Sequence, residues 1–153
     1  MSPVLRERAR PVESVDDALR AQIGQMRALV EAAMEAGLAA NQVGMLNRVF
    51  VYRVEPDTPA RALVNPEIDW ADGEQAAAEE GCLSIPGIWI EVVRPVAVRV
   101  RALGDDGAPV VLEAAGHEAR VIQHELDHLD GVLTLDRTTP ELRKAALREL
   151  RTR

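Results

Sequence analysis

The stretch Gln123-His124-Glu125-Leu126-Asp127-His128-Leu129-Asp130-Gly131 constrains this chain more than any other. On an α-helix, residues four apart share a face, so His124 and His128 can send ring nitrogens to one divalent ion. Glu125 then reaches that ion's water and is placed to take its proton. The spacing specifies metal-assisted hydrolysis. A helix rich in Leu and Val can also carry histidines as packed, hydrogen-bonded residues, but the chain has only 3, and two of them fall at this spacing around a Glu. The pattern itself names no third ligand. No histidine follows Gly131, the only later acids are Asp136, Glu141 and Glu149, and the remaining soft donor, Cys82, lies upstream.

A length of 153 residues suits one domain with a single core. Hydrophobic residues at 47% and charged residues at 28% describe an ordinary globular chain rather than a disordered one. A net charge of −7 argues against a general binder of DNA or RNA. No apolar run approaches the roughly 20 residues of a membrane span, and the first residues lack a signal-peptide core, so a cytoplasmic location is expected. The single cysteine excludes an internal disulfide framework and fits a reducing compartment. Cys82 is then either a small core residue or a chemical one.

In chain order, Met1 to Glu13 reads as an extended surface arm. Ser14 with Asp17 resembles a capping box, and Leu19, Ile23, Met26, Val30 and Ala33 recur at steps of four and three, which predicts an amphipathic helix ending near Gly37. Met26 and Met34 are assigned to packing. The small residues Gly37-Leu-Ala-Ala-Asn-Gln-Val-Gly44 allow close backbone approach and leave Gln42 projecting from them. Strands are expected over Arg48 to Val54, Arg61 to Ile68, Ile88 to Val93, Val96 to Leu103 and Val110 to Ala114, with a turn at Gly104-Asp-Asp-Gly107. Gly131 ends the histidine helix, and Thr139-Pro140 opens a final helix reaching about Leu150.

Three blocks, Gly37-Leu-Ala-Ala-Asn-Gln42, Glu80-Gly-Cys-Leu-Ser84 and Gln123-His-Glu-Leu-Asp-His128, stand in this order with antiparallel strands between them. Together they resemble the peptide deformylases, and the resemblance runs from about Pro3 to the final helix. It implies an α+β fold: antiparallel β-sheets packed around a central metal-binding H-E-x-x-H helix, with an N-terminal and a C-terminal helix, residues 1–153 forming one catalytic domain. It further implies an enzyme that removes the N-formyl group from formylmethionine at the start of new polypeptides.

Carried over by position, the resemblance makes Cys82 the third metal ligand beside His124 and His128. Fe(II) is the ion it implies, with Zn, Ni or Co able to occupy the same donors. Glu125 is the proton carrier, and Gln42 with the backbone N–H of Leu83 meets the charge developing on the formyl oxygen. Gly37, Leu83, Trp89 and Val121 are expected to wall the methionine pocket, with plain core packing as the alternative for Trp89. Glu80, Asp127 and Asp130 are candidate acceptors for ligand N–H groups, while His117, at the start of the helix, is not a ligand.

This sequence departs from the family pattern at Glu35, at Asn41, a variable place, at its start and in the brevity of its final helix, Glu141 to Arg153. Glu35 stands two residues before Gly37, where the block usually begins with another Gly, and puts a charge near the pocket mouth. The stretch matching Pro3-Val-Leu-Arg6 starts with almost no residues before it. The final helix carries Arg143, Lys144, Arg148, Arg151 and Arg153, a basic face suited either to solvent or to transient contact with ribosomal RNA. A second reading keeps the same centre and turns it on a different N-formyl or N-acyl small molecule.

Overall fold

The computed structural model describes residues 2–82 and 84–152. Helix α1 (Asp17–Ala32) leads into a short strand β1 (Gly37–Ala39), followed by β2 (Val49–Tyr52), β3 (Arg61–Ala71), β4 (Gln75–Glu80), β5 (Ile90–Pro95), β6 (Ala97–Leu103) and β7 (Pro109–Ala115). Two helices close the chain, α2 (Gly116–Leu129) and α3 (Pro140–Arg151). Five strands form an antiparallel sheet in the order β1-β2-β3-β6-β7, and β4 pairs with β5 in a separate ribbon. The fold is α+β, with antiparallel sheets around α2, as the sequence implies.

The period-two alternation of β2 explains how the sheet serves two cores. Phe50 and Tyr52 point to the face covered by Ala119, Ile122 and Leu129 of α2. Val49 and Val51 point to the opposite face, against Leu19, Ile23, Met26 and Val30 of α1. All four β2 residues are consequently buried, the pattern of a strand covered on both sides. A third cluster of Ile85, Ile88, Ile90, Val92 and Leu135 seats the ribbon against α3 through Ala146.

Several expectations change. The cap of α1 is Asp16 rather than Ser14, since its carboxylate accepts from Leu19 N at 2.8 Å. The helix stops at Ala32, and Met34 takes a left-handed φ of 57° on the surface, 70% exposed, so it is no part of the core. The N-terminal segment is no loose arm. Leu5 and Ala9 are buried, Ala9 N donates to Leu129 O at 2.7 Å, and Asn65 brackets Val12 through bonds to both its N–H and its carbonyl.

The ribbon strand β4 escaped the sequence reading because Gln-Ala-Ala-Ala-Glu-Glu is helix-favouring in isolation. Its backbone pairs along its whole length with β5, from Gln75 opposite Pro95 to Glu80 opposite Ile90, and tertiary pairing overrides local preference. Helix α3 begins as expected, with Thr139 Oγ1 accepting from Leu142 N at 3.2 Å and Pro140 at the first position. No helix among the described residues is long and apolar enough to cross a membrane.

Candidate functional site

Helix α2 presents two faces. Ala119, Ile122 and Leu129 pack into the sheet, and the opposite side carries His124, Glu125 and His128 toward the loop that follows β4. Cys82 lies in that loop. Its Sγ is 3.3 Å from His128 Nε2, which is 3.2 Å from His124 Nε2, and the three donor atoms lie within 4.8 Å of one another.

These separations fit a bound ion. Metal–nitrogen bonds of about 2.0 Å and metal–sulfur bonds of about 2.3 Å at tetrahedral angles put nitrogens about 3.3 Å apart and sulfur about 3.5 Å from nitrogen. The nitrogens stand 3.2 Å apart and the sulfur 3.3 Å from one of them, close to those separations. Cys82, His124 and His128 are therefore the residues that could hold a metal, and a thiolate with two imidazoles suits Fe, Zn, Ni or Co.

Glu80 orients one of these ligands. His124 Nδ1 lies 2.8 Å from Glu80 Oε1, which assigns the proton to Nδ1 and leaves the Nε2 lone pair facing the centre. The same carboxylate receives two bonds from Arg94, at 2.7 and 2.9 Å, and one from Arg120 at 2.7 Å. Burial alone would raise the Glu80 pKa, but the bonds from His124 and Arg94 outweigh it and hold the value at about 2. Burial also opposes charge on both imidazoles. For His124 the sulfur and Glu80 reverse that effect and raise its pKa, whereas burial and the neighbouring His124 push His128 down.

Asp127 and Asp130, candidates for the same orienting task, do other work. Asp127 binds Arg94 Nη1 at 2.9 Å and Arg137 Nη2 at 2.8 Å, and Asp130 binds Arg48 Nη1 at 2.9 Å. His128 Nδ1 has no hydrogen-bond partner among the described residues. His128 is instead tied through its backbone: Asn41, fully buried, donates its side-chain amide to the His128 carbonyl. Asn41 stands at a place that varies within the family, and no local pattern pointed to this contact. Arg94 left a trace, because it occupies an inward position after Ile90 and Val92 on β5, where the alternation calls for a hydrophobe.

Glu125 is only 3% exposed, its Oε1 is 3.8 Å from His124 Nε2, and its Oε2 has no partner among the described residues. Burial raises its pKa to about 7; His124 opposes the shift, and the charges of Glu35 and Glu80 add to it. A carboxylate with that value sits where a proton carrier works near neutrality.

Gly37 makes this placement feasible. A Cβ on Gly37 would lie 2.8 Å from Glu125 Cγ and 3.0 Å from Cδ. Gly37, which the resemblance assigns to the pocket wall, is also the surface on which Glu125 rests. Gly37→Ala is expected to displace the carboxylate and lower kcat about 100-fold with metal content unchanged. A loss smaller than threefold in steady-state assays would show that Glu125 keeps its position without this contact.

Gln42 follows β1 on a single 3-10 turn, Ala40–Val43. Its Oε1 accepts from Ala39 N at 2.9 Å, which turns the amide nitrogen toward Cys82 Sγ at 3.5 Å and Ser84 Oγ at 3.1 Å. A cleft of about 210 Å³ opens beside the donors, and Gly37, Trp89, Val121 and His117 all line it. His117 stands outside the three-donor cluster. Leu83 lies outside the described residues.

Comparison with known proteins agrees with this geometry. The profile of the polypeptide deformylase family matches residues 1–144. A peptide deformylase of Treponema pallidum (strain Nichols) is 49% identical over 146 residues, covering 95% of this chain and 89% of its own. The crystal structure of a peptide deformylase from Legionella pneumophila superposes with a TM-score of 0.91 at 39% identity, over 97% of this chain and 88% of that one. A peptide deformylase from Synechococcus elongatus, solved in complex with actinonin, gives 0.92 at 40% identity, over 97% and 83%. With a profile spanning nearly its whole length and relatives this similar, the chain belongs to the polypeptide deformylase family of metal-dependent hydrolases.

Proposed function

We propose that this chain removes the N-formyl group from formylmethionine at the start of newly made polypeptides, leaving formate and a free α-amine. The observation that carries the reading is a buried Glu125 carboxylate, one oxygen of which has no partner among the described residues, beside a Cys82–His124–His128 centre that opens into a partly apolar cleft. A divalent ion held by those three residues supplies a Lewis acid that polarises the formyl carbonyl and makes water acidic enough to surrender a proton.

The chain's own groups perform the remaining tasks. Glu125 takes the proton from the attacking water and passes it to the amine as the C–N bond breaks, so the carboxylate ends the cycle as it began. The Gln42 amide, already aimed toward the sulfur, donates to the oxygen on which negative charge accumulates, and the N–H of Leu83 is assigned the same task. Glu80 keeps the His124 ring in its ligating tautomer. Gly37, Leu83, Trp89 and Val121 wall the methionine side chain. A substrate other than a formylated peptide has no observation in its favour.

Residues 1–153 act as one catalytic domain in this reading, because Gln42, Cys82 and the histidine helix contribute to one centre. Fe(II) is the resident ion, and the cytoplasm, where formylated chains emerge, is the place of action. Exposed Lys144, Arg148 and Arg151 on α3 provide the cationic face for transient contact with the ribosome, while Arg143 is already committed to Asp136 at 2.9 Å.

Formate release from formyl-Met-Ala by protein purified anaerobically with Fe(II) tests the reading. Rapid release is expected, abolished by chelation, restored by Fe(II), and lost slowly in air as iron or Cys82 is oxidised. No release from a metal-filled site would overturn it.

A further inference from the structure

The Gln42 side chain is held at both ends of its amide. Ala39 N can only donate, so the Gln42 atom 2.9 Å from it is the oxygen, and the amide nitrogen faces the other way. That nitrogen carries two hydrogens. One is directed to Ser84 Oγ at 3.1 Å, and the other points toward Cys82 Sγ at 3.5 Å, a weaker contact. With the oxygen and one N–H engaged, the amide is held against flipping. A single N–H is left for the side on which Cys82, His124 and His128 lie.

Ser84 reaches this amide from behind. It lines not the cleft beside the metal donors but a separate groove, with Leu5, Leu29 and Leu38, and Gln42 forms part of the wall of both. The Ser84 backbone has a different duty. Its N–H donates to Cys82 Sγ at 3.4 Å, and Ile85 N donates to Cys82 O at 3.2 Å, which closes the turn carrying the cysteine. Main-chain groups therefore keep the turn, and the hydroxyl is left to Gln42.

Resting on the deformylase reading, we propose that Ser84 is a positioning residue whose Oγ holds the Gln42 amide so that its remaining N–H meets the formyl oxygen as charge builds there. A donor aimed before the reaction loses no free energy to reorganisation during it, and such groups owe most of their effect to that. The hydroxyl itself touches neither the peptide nor the ion. Its whole contribution passes through Gln42, so it vanishes when Gln42 is removed.

The test measures kcat and KM for formyl-Met-Ala, per bound metal ion, in the wild type, Ser84→Ala, Gln42→Ala and the double variant. Ser84→Ala is expected to lower kcat about tenfold with KM unchanged, and Ser84→Thr, which keeps the oxygen, to stay within about threefold of the wild type. Gln42→Ala is expected to lose about 100-fold, and adding Ser84→Ala to it to cost nothing further. A hydroxyl that served only the fold would cost the same factor in both backgrounds. A second readout is independent of turnover. In the Zn(II) form, the side-chain N–H protons of Gln42 are expected to exchange with solvent about tenfold faster in Ser84→Ala than in the wild type. Additive losses, a Ser84→Ala kcat within about twofold of the wild type, or unchanged exchange overturns the assignment and leaves the deformylase reading standing. No turnover of any formyl peptide by the wild type at a filled site sinks both.

Discussion

Replacing Glu125 by Gln is expected to lower kcat about 1,000-fold while the protein retains its metal. The reason is exclusivity. Glu80 spends both oxygens on His124, Arg94 and Arg120, and Asp127 spends both on Arg94 and Arg137, so neither can relay a proton at the centre. Among the buried carboxylates of the described residues, only Glu125 has an oxygen without a partner. The wild-type rate should fall as pH drops through the Glu125 pKa, about 7 in the metal-free chain and lower beside a divalent cation, and the variant should lose that limb.

Stability should move the other way. Burial raises the Glu125 pKa from 4.5 to about 7, so the folded state holds this proton more tightly than the unfolded state does. The metal-free wild type therefore loses stability as pH rises from about 4.5 to 7, and Gln, which never ionises, escapes that loss. The variant's Tm should exceed the wild type's at pH 8 and converge with it near pH 4. A variant that keeps its metal and its rate would remove Glu125 from the reaction; one that melts earlier at pH 8 would refute its burial as a charge.

The contrast between Glu125 and Arg94 shows why some of this site was legible in the sequence and some was not. His124, Glu125 and His128 are related by helical spacing alone, so local geometry places them together before any packing is known. Cys82 and Gln42 stood out as the lone soft donor and a projecting amide, but only the resemblance assigned them to this centre, since 42 residues separate Cys82 from His124 and no local rule brings them together. The tie between His124 and Glu80 depends on β4, whose Ala/Glu composition hides a strand formed only by pairing with β5. Arg94 fell just past the strand expected over Ile88 to Val93, and it shows as an anomaly only when the alternation of Ile90 and Val92 is carried one step further. Asn41 had no signature, because a buried amide reaching the His128 carbonyl is set by where α2 crosses the 3-10 turn. The α1 cap misled for a simpler reason: Ser14 and Asp16 are both good caps, and the chain direction entering the helix favours the second.

Arg94→Met is expected to have the largest effect on stability. Arg94 is 5% exposed and joins Glu80 to Asp127, so its loss leaves two buried carboxylates with fewer partners, at a cost of about 3–5 kcal/mol. For a chain of this size that is a fall in Tm of roughly 10 °C. Acid sensitivity supplies a second readout. Glu80 has a folded pKa of about 2 against 4.5 unfolded, so its stabilisation is complete above 4.5 and is lost as pH falls toward 2. Without Arg94 the folded value rises and acid unfolding begins at higher pH. Metal affinity should fall 10- to 100-fold as Glu80 loses its hold on the His124 ring. The double variant Arg94→Met/Glu80→Met separates packing from positioning. It removes the charge imbalance and should recover much of the Tm, yet His124 Nδ1 then lacks its acceptor, so the metal should remain weakly bound. Recovery of both properties together would mean that Glu80 holds the fold and not the ligand.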